Sequence, residues 1–321
     1  LSVGRSSFEF EQQPGGAIDL VCEPGSEPDH GRRSFHGRAE GMNSNLQFDY
    51  ISIGHVTIDV LEDGSRRPGG TALYSALQAA RLGLRAKIVT RGLPAELEDL
   101  LEPWAAELEL EIQPAPATTS LATRGQGSGR RQELLAWAGP LEPVGSMSCA
   151  IVHLAPVAAE LPVPWPAGGG LRGITPQGLA RAWSNAGGIV SPARPSAAAA
   201  LEARRTDVVV VSDDERPLCE ALIESARGNG ALLAVTAGER PSTILAAGGQ
   251  ALTLAVHPLE HPADDLGAGD VFASALFTGL AEGRSPAQAG TFANTAAALR
   301  MSGRGVDAVA GRAEIEAALP R

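Results

Sequence analysis

The segment Asp264-Asp265-Leu266-Gly267-Ala268-Gly269-Asp270-Val271-Phe272 combines two features that phosphoryl chemistry needs. Gly267, Ala268 and Gly269 let the backbone come close to a ligand, and an apolar, Ala-rich helical stretch follows at once. A helix start presents unpaired N–H groups and the positive end of the helix dipole, so an anion is its natural guest. Asp270 stands at the same helix start, where a carboxylate can take the proton of a hydroxyl that faces the anion. The chemistry this fits is transfer of a phosphoryl group from a nucleotide to an alcohol. A tight turn with an Asp N-cap would use the same residue types, so the rest of the chain has to decide.

The elements around this segment must therefore position it. Tyr50 to Val56 reads as a short apolar strand ending beside a glycine, Thr71 to Leu82 as a helix between Gly69-Gly70 and Gly83, and Ala86 to Thr90 as a second strand. Strand, helix and strand at this spacing make a βαβ unit and imply a parallel sheet. Leu121–Thr123 and Gln132–Trp137 read as two strands around a flexible hairpin at residues 125–129. Residues 149–154, 207–211 and 231–236 read as buried strands, the last followed by a short hairpin. Residues 1 to 46 have no such periodicity; they read as a disordered leader, or as sequence upstream of a start at Met42.

Composition narrows the chemistry further. A chain of 321 residues that is 44% apolar can build one large α/β domain. A formal net charge of −11 argues against nucleic acid or an anionic membrane as partner, and no apolar run approaches the roughly eighteen residues of a membrane span. Cys22, Cys149 and Cys219 are odd in number and widely spaced, which fits reduced thiols and a cytoplasmic location rather than a disulfide framework. Lys87 is the single lysine among 26 basic residues and has no Gly-rich loop around it. That excludes a Walker-type phosphate loop and a protein-kinase fold, both of which place a lysine on the phosphates. A dinucleotide-binding dehydrogenase fails as well, because Gly-x-Gly-x-x-Gly is missing after the first strand. His257 and His261 flank Pro258 and so do not share a regular helix as metal ligands.

Two motifs in order carry a family resemblance. Asp-x-x-Gly-Ala-Gly-Asp-x-Phe at 264–272 resembles the second signature of the ribokinase family, also called PfkB carbohydrate kinases. Pro68-Gly69-Gly70, entering a helix that ends in Ala80-Arg81-Leu82-Gly83, resembles the first. The resemblance spans about 47 to 321. It implies a ribokinase-like α/β domain, with a central, mostly parallel sheet, helices on both faces and a small β lid grown near 60–68 and 118–138.

What the resemblance implies for the site can be named residue by residue. Asp270 is the general base, and Gly267, Ala268 and Gly269 form the anion hole. Asp59, Gly69, Gly70 and Tyr74 hold the acceptor. Thr236, Gly238 and Asn294 line the nucleotide site, and Glu215 supports Mg²⁺ through water. ATP and Mg²⁺ are the implied cofactors, with a monovalent cation beside them. The implied partner is a small sugar, polyol or nucleoside, taken by a monomer or homodimer. Three positions depart from the family pattern: Tyr74 and Ser212 stand where Asn is usual, and Asp265 where Thr is usual. An aromatic at 74 is shared with plant-type myo-inositol kinases and favours a cyclic polyol over ribose. A carboxylate at 265 beside phosphates is unfavourable unless a metal or an arginine neutralises it, which leaves a catalytically silent nucleotide- or sugar-binding protein as the alternative. Gln177 and Arg181 share a face if their segment is helical; Arg130 and Arg131 are placed to touch the closed site from the lid, but solvated surface is the preferred reading for both.

Overall fold

The run Val208-Val209-Val210-Val211 is buried on both its faces, and this sets the architecture. In the computed structural model Val208 and Val210 join one hydrophobic cluster, while Val209 and Val211 join another on the opposite side of the sheet. A strand with no solvent face belongs in a parallel sheet covered by helices on both sides. The structure describes residues 46–320 apart from 126–128, 185–187, 250, 257–258 and 260–261. The expected leader (all but its last residue), the tip of the 125–129 hairpin and the His257/His261 pair lie outside the described residues.

Among the described residues nine strands form one sheet. Its parallel part runs Val208–Ser212, Leu171–Ile174, Ile151–Leu154, Tyr50–Ile53, Ala86–Gly92 and Leu108–Pro114, with Leu232–Ala237 on the other side of Val208–Ser212. Arg240–Leu245 and Ala251–Leu254 add an antiparallel edge. The helices Thr71–Arg81, Ala268–Ala281 and Pro286–Met301 cover one face, through Leu73, Phe272, Phe277 and Phe292. The helices Ala197–Glu202 and Glu220–Arg227 cover the other, where Ala199, Leu222 and Ile223 meet Val209. Lys87 lies in a sheet strand, paired to Glu111 at 2.6 Å.

The lid is a second sheet and larger than the sequence suggests. Its order is Gly188–Ile189, Arg131–Ala136, Ser120–Arg124, Thr57–Val60 and Arg66–Gly69. Asp59 sits within a lid strand, Thr57–Val60, that follows the sheet strand Tyr50–Ile53. The segment at 175–181 is a 3₁₀ turn, Pro176–Ala180, with Arg181 opening a short strand instead of continuing a helix. Pro176 at its start and Gly178 in its middle disfavour a longer helix. No helix among the described residues is long and apolar enough to cross a membrane.

Candidate active site

The helix Ala268–Ala281 begins where the sequence places it, because Gly267 caps it in the left-handed region at φ 76°. A Cβ at this position would lie 2.4 Å from the Tyr74 ring, so both conformation and space demand glycine. Asp270 lies in the first turn and is 8% exposed. Gln177 Nε2 donates to Asp270 Oδ1 at 3.1 Å and also bonds to the Thr71 hydroxyl. Burial raises the Asp270 carboxyl to about 6; a hydrogen bond from Thr71 and the guanidinium groups of Arg181 and Arg130 work against that, and Glu215 adds to it. A carboxylate poised near neutrality and short of solvent is suited to accept a proton.

Asp270, Gly267 and Gly269 line a cavity of about 660 Å³ together with Asp213, Asp214, Glu215, Gln177 and Arg181. The carboxylates come from the turn after the strand Val208–Ser212, where Ser212 N donates to Glu215 Oε2 at 3.0 Å and Glu215 N donates to Ser212 Oγ at 3.2 Å. Serine therefore holds Glu215 in place by local backbone bonds. Asp213 is paired with Arg240, so Asp214 and Glu215 are the oxygen donors that fit a hydrated Mg²⁺.

Thr236, Ala237, Gly238 and Gly269 border this cavity and a second, more apolar one of about 320 Å³. The second is walled by Phe272, Val256, Leu259, Ala298 and Met301, with Asn294 at its edge. Asn294 Nδ2 donates to Ser242 Oγ at 2.9 Å and to Ala255 O at 3.0 Å, so its amide ties the helix Pro286–Met301 to the edge strands. A flat aromatic base attached to an anionic chain fits two such adjoining spaces.

On the lid side Asp59 is 6% exposed and accepts a hydrogen bond from Thr57 Oγ1 at 3.1 Å. A side chain at Gly69 would overlap Asp59 Oδ2, and Gly70, at φ 93°, lies against His55 O, so the glycine pair lets this carboxylate sit against the helix start. Burial raises Asp59 to about 6, offset by Thr57 and by Arg181 and Arg130, the same two arginines that act on Asp270. Both carboxylates thus lie within the field of the same two guanidinium groups. Arg130 leaves the lid and pairs with Asp265, each side chain about a quarter exposed. The expectation of a solvated Arg130 is therefore corrected: the guanidinium neutralises the carboxylate that departs from the family pattern. Tyr74 differs from expectation as well. It is 3% exposed, its ring lies under Gly267, and its hydroxyl accepts a bond from Arg300 Nη2 at 3.3 Å. It lines neither cavity and supports the Gly267 loop from beneath.

The profile of the pfkB family carbohydrate kinases matches residues 187–310. No curated protein matches the chain significantly. Among solved structures, a pyrophosphate-dependent kinase in the ribokinase family, complexed with a pyrophosphate analogue and myo-inositol, superposes with a TM-score of 0.69 at 20% identity, covering 84% of this chain and 99% of that one. Ribokinase from Arabidopsis thaliana with ribose and ATP gives 0.63 at 16% identity, over 85% and 99%. A double mutant of Vibrio cholerae fructokinase bound to fructose, ADP and potassium ion gives 0.65 at 18%, over 85% and 98%. The fold is that of the ribokinase-like kinases, and residues 187–310 are similar to the PfkB carbohydrate kinases.

Within this ribokinase-like fold the site also holds residues the sequence reading passed over. Thr71 donates to the candidate base from the first turn of its own helix. Arg300 is wholly buried and reaches Asp264 Oδ2 at 3.1 Å and Leu266 O at 2.5 Å. Burial alone would raise the Asp264 carboxyl, but bonds from Leu266 N, Gly305 N and Arg300 outweigh it and hold it below the ordinary range. Arg300 carried one signal, a charge inside an otherwise apolar helical face of Pro286–Met301.

Proposed function

We propose that this chain transfers the terminal phosphoryl group of ATP to a hydroxyl of a small polyol, sugar or nucleoside, with Asp270 as general base. The observation that carries the reading is Asp270 at a glycine-capped helix start, opening on a polar cavity that joins an apolar one. The acceptor oxygen forms a bond to the terminal phosphorus while the bond from that phosphorus to the bridging oxygen breaks. The acceptor proton passes to Asp270, and ADP leaves. N–H groups of Gly267, Ala268, Gly269 and Asp270 stabilise the charge on the phosphoryl oxygens, where a fixed dipole counts most. Asp59 and the Gly69–Gly70 turn orient the acceptor, and the lid keeps water, the competing acceptor, out. Mg²⁺ supplies charge neutralisation on the donor when bound, with Asp214 and Glu215 holding it through water.

The apolar cavity beside Thr236 and Gly238 supports a nucleoside triphosphate as donor, since pyrophosphate has no base to bury there. The test is a phosphorylation screen over inositols, pentoses, hexoses and nucleosides, run with ATP and in parallel with pyrophosphate. Turnover with ATP on one acceptor class is the expected result. Tight nucleotide binding without turnover on any acceptor would establish a silent binding protein instead, and turnover with pyrophosphate alone would overturn the donor assignment.

A further inference from the structure

The family resemblance implies a monovalent cation, and the oxygens behind the anion-hole loop are the set a hard cation takes: Asp264 Oδ2, the carbonyls of Leu266 and Gly303, and the Tyr74 hydroxyl. In this chain a guanidinium lies among them. Arg300 Nη2 is 2.5 Å from Leu266 O, 3.1 Å from Asp264 Oδ2 and 3.3 Å from Tyr74 Oη, and Nη1 is 3.2 Å from Gly303 O. Nη2 has two hydrogens and three oxygen neighbours, an acceptor-rich surrounding closer to an ion's coordination shell than to an ordinary arginine pair. The Tyr74 ring closes one side, with the guanidinium carbon 5.1 Å from its centroid. Arg300 is 0% exposed, so its charge is held away from bulk solvent. These residues do not fit a free monovalent cation as well.

We propose that Arg300 is a tethered, permanent replacement for a monovalent activator, and that it acts as a positioning residue for the anion hole. The route runs through one peptide bond. In a planar trans peptide the carbonyl and the following N–H point in opposite directions. Drawing the Leu266 carbonyl inward to Arg300 therefore turns the Gly267 N–H outward, and Gly267 lines the cavity that holds Asp270. Asp264 completes the device: it accepts from Leu266 N at 3.0 Å and Gly305 N at 3.1 Å, fixing the same loop from its other side. Arginine cannot lose its charge at any working pH, and its concentration does not vary with the medium. Phosphoryl donor binding by this protein is then independent of the monovalent cations around it.

The inference rests on the donor site proposed above, and its test separates the two. ATP binding to the full chain is measured by calorimetry at constant ionic strength in potassium, sodium, caesium and tetramethylammonium chloride, with turnover followed in the same media. Affinity and turnover that vary by less than about twofold across the four salts are expected. Stimulation by potassium of more than about fivefold over tetramethylammonium would overturn the role of Arg300, whereas absence of turnover in every salt with unchanged ATP binding would overturn only the kinase reading. Arg300→Met removes the cation and keeps the length; donor affinity and turnover should fall by about 10²-fold, with partial recovery on adding potassium or guanidinium chloride, and Arg300→Lys should retain most of both. A folded Arg300→Met protein that binds ATP as the wild type does would refute the proposal. If that variant does not fold, the salt series on the wild type still decides.

Discussion

Asp270 carries two demands that conflict, and the conflict is measurable. Its carboxyl ordinarily titrates near 3.8 and is pushed up to about 6, chiefly by burial. In the unfolded chain it ionises at the lower value, so between about pH 4 and 6 the folded state holds the extra proton and loses stability as the pH rises. Above pH 6 the cost is fully present. Asp270→Asn keeps the shape and removes the charge. Its turnover should fall by roughly 10²–10⁴-fold with little change in nucleotide affinity. At pH 8 the same variant should be more stable than the wild type by about 1–3 kcal/mol, and the two should converge near pH 4. Denaturant melts at the two pH values check this; a variant less stable at pH 8 would mean that the carboxylate is not strained. The wild-type rate constant kcat/KM should lose activity below about pH 6. Because Asp59 is raised to a similar value, Asp59→Asn identifies the limb: with that change the acid limb should persist at lower overall activity, and its loss would assign the limb to Asp59.

At the scale of elements, the helix Ala268–Ala281 was legible because its start makes a demand only certain residues meet. A left-handed cap needs glycine, a helix N-terminus tolerates an acid, and the apolar run behind it has to be buried. The same reading placed the strand–helix–strand unit at 50–90, with the helix within one residue of its end and the strand ends within three. Tyr74 was not legible. A helix that is buried almost all round gives no phase, so the sequence does not say whether position 74 meets substrate or a neighbouring loop. Its partners, Gly267 and Arg300, lie about two hundred residues away. The outcome for Tyr74→Asn changes accordingly. Read from sequence, it shifts kcat/KM toward ribose by about 1–2 kcal/mol. With the ring packed under Gly267, the variant should instead lose about 3–5 kcal/mol of stability and keep its acceptor ratios. Gly267→Ala attacks the same contact from above: a methyl in the Tyr74 ring and a disfavoured φ should cost about 2–4 kcal/mol and most of the activity. Melting curves combined with an acceptor panel separate the two accounts, and a ribose shift in a stable Tyr74→Asn protein would restore the first.

For the whole molecule, the question is how the lid stays over the sheet. Two of the five lid strands, Ser120–Arg124 and Arg131–Ala136, follow from local pattern, but Gly188–Ile189 is two residues long and gives no periodicity to read. The ion pair joining the lid to the loop before Gly267 was legible only in halves. A carboxylate at 265 called for a cation, and Arg130 was present on the lid, but sequence separation hid that each answers the other. In the folded chain Asp265 stands in the loop before Gly267 and Arg130 borders the cavity of Asp270, so the pair latches the lid beside the proposed reacting centre. Both side chains are partly exposed, which limits the pair to about 1 kcal/mol. A double-mutant cycle of Arg130→Ala and Asp265→Ala tests the latch without assuming that either change is silent. Hydrogen exchange in Ser120–Arg124 and Arg131–Ala136 should quicken in each single variant and no further in the double one, with KM for the acceptor rising in parallel. High salt should mimic the single variants, since a partly exposed pair is screened. Exchange rates that add across the two changes would mean that Arg130 and Asp265 act separately, and that the lid is held by its sheet contacts alone.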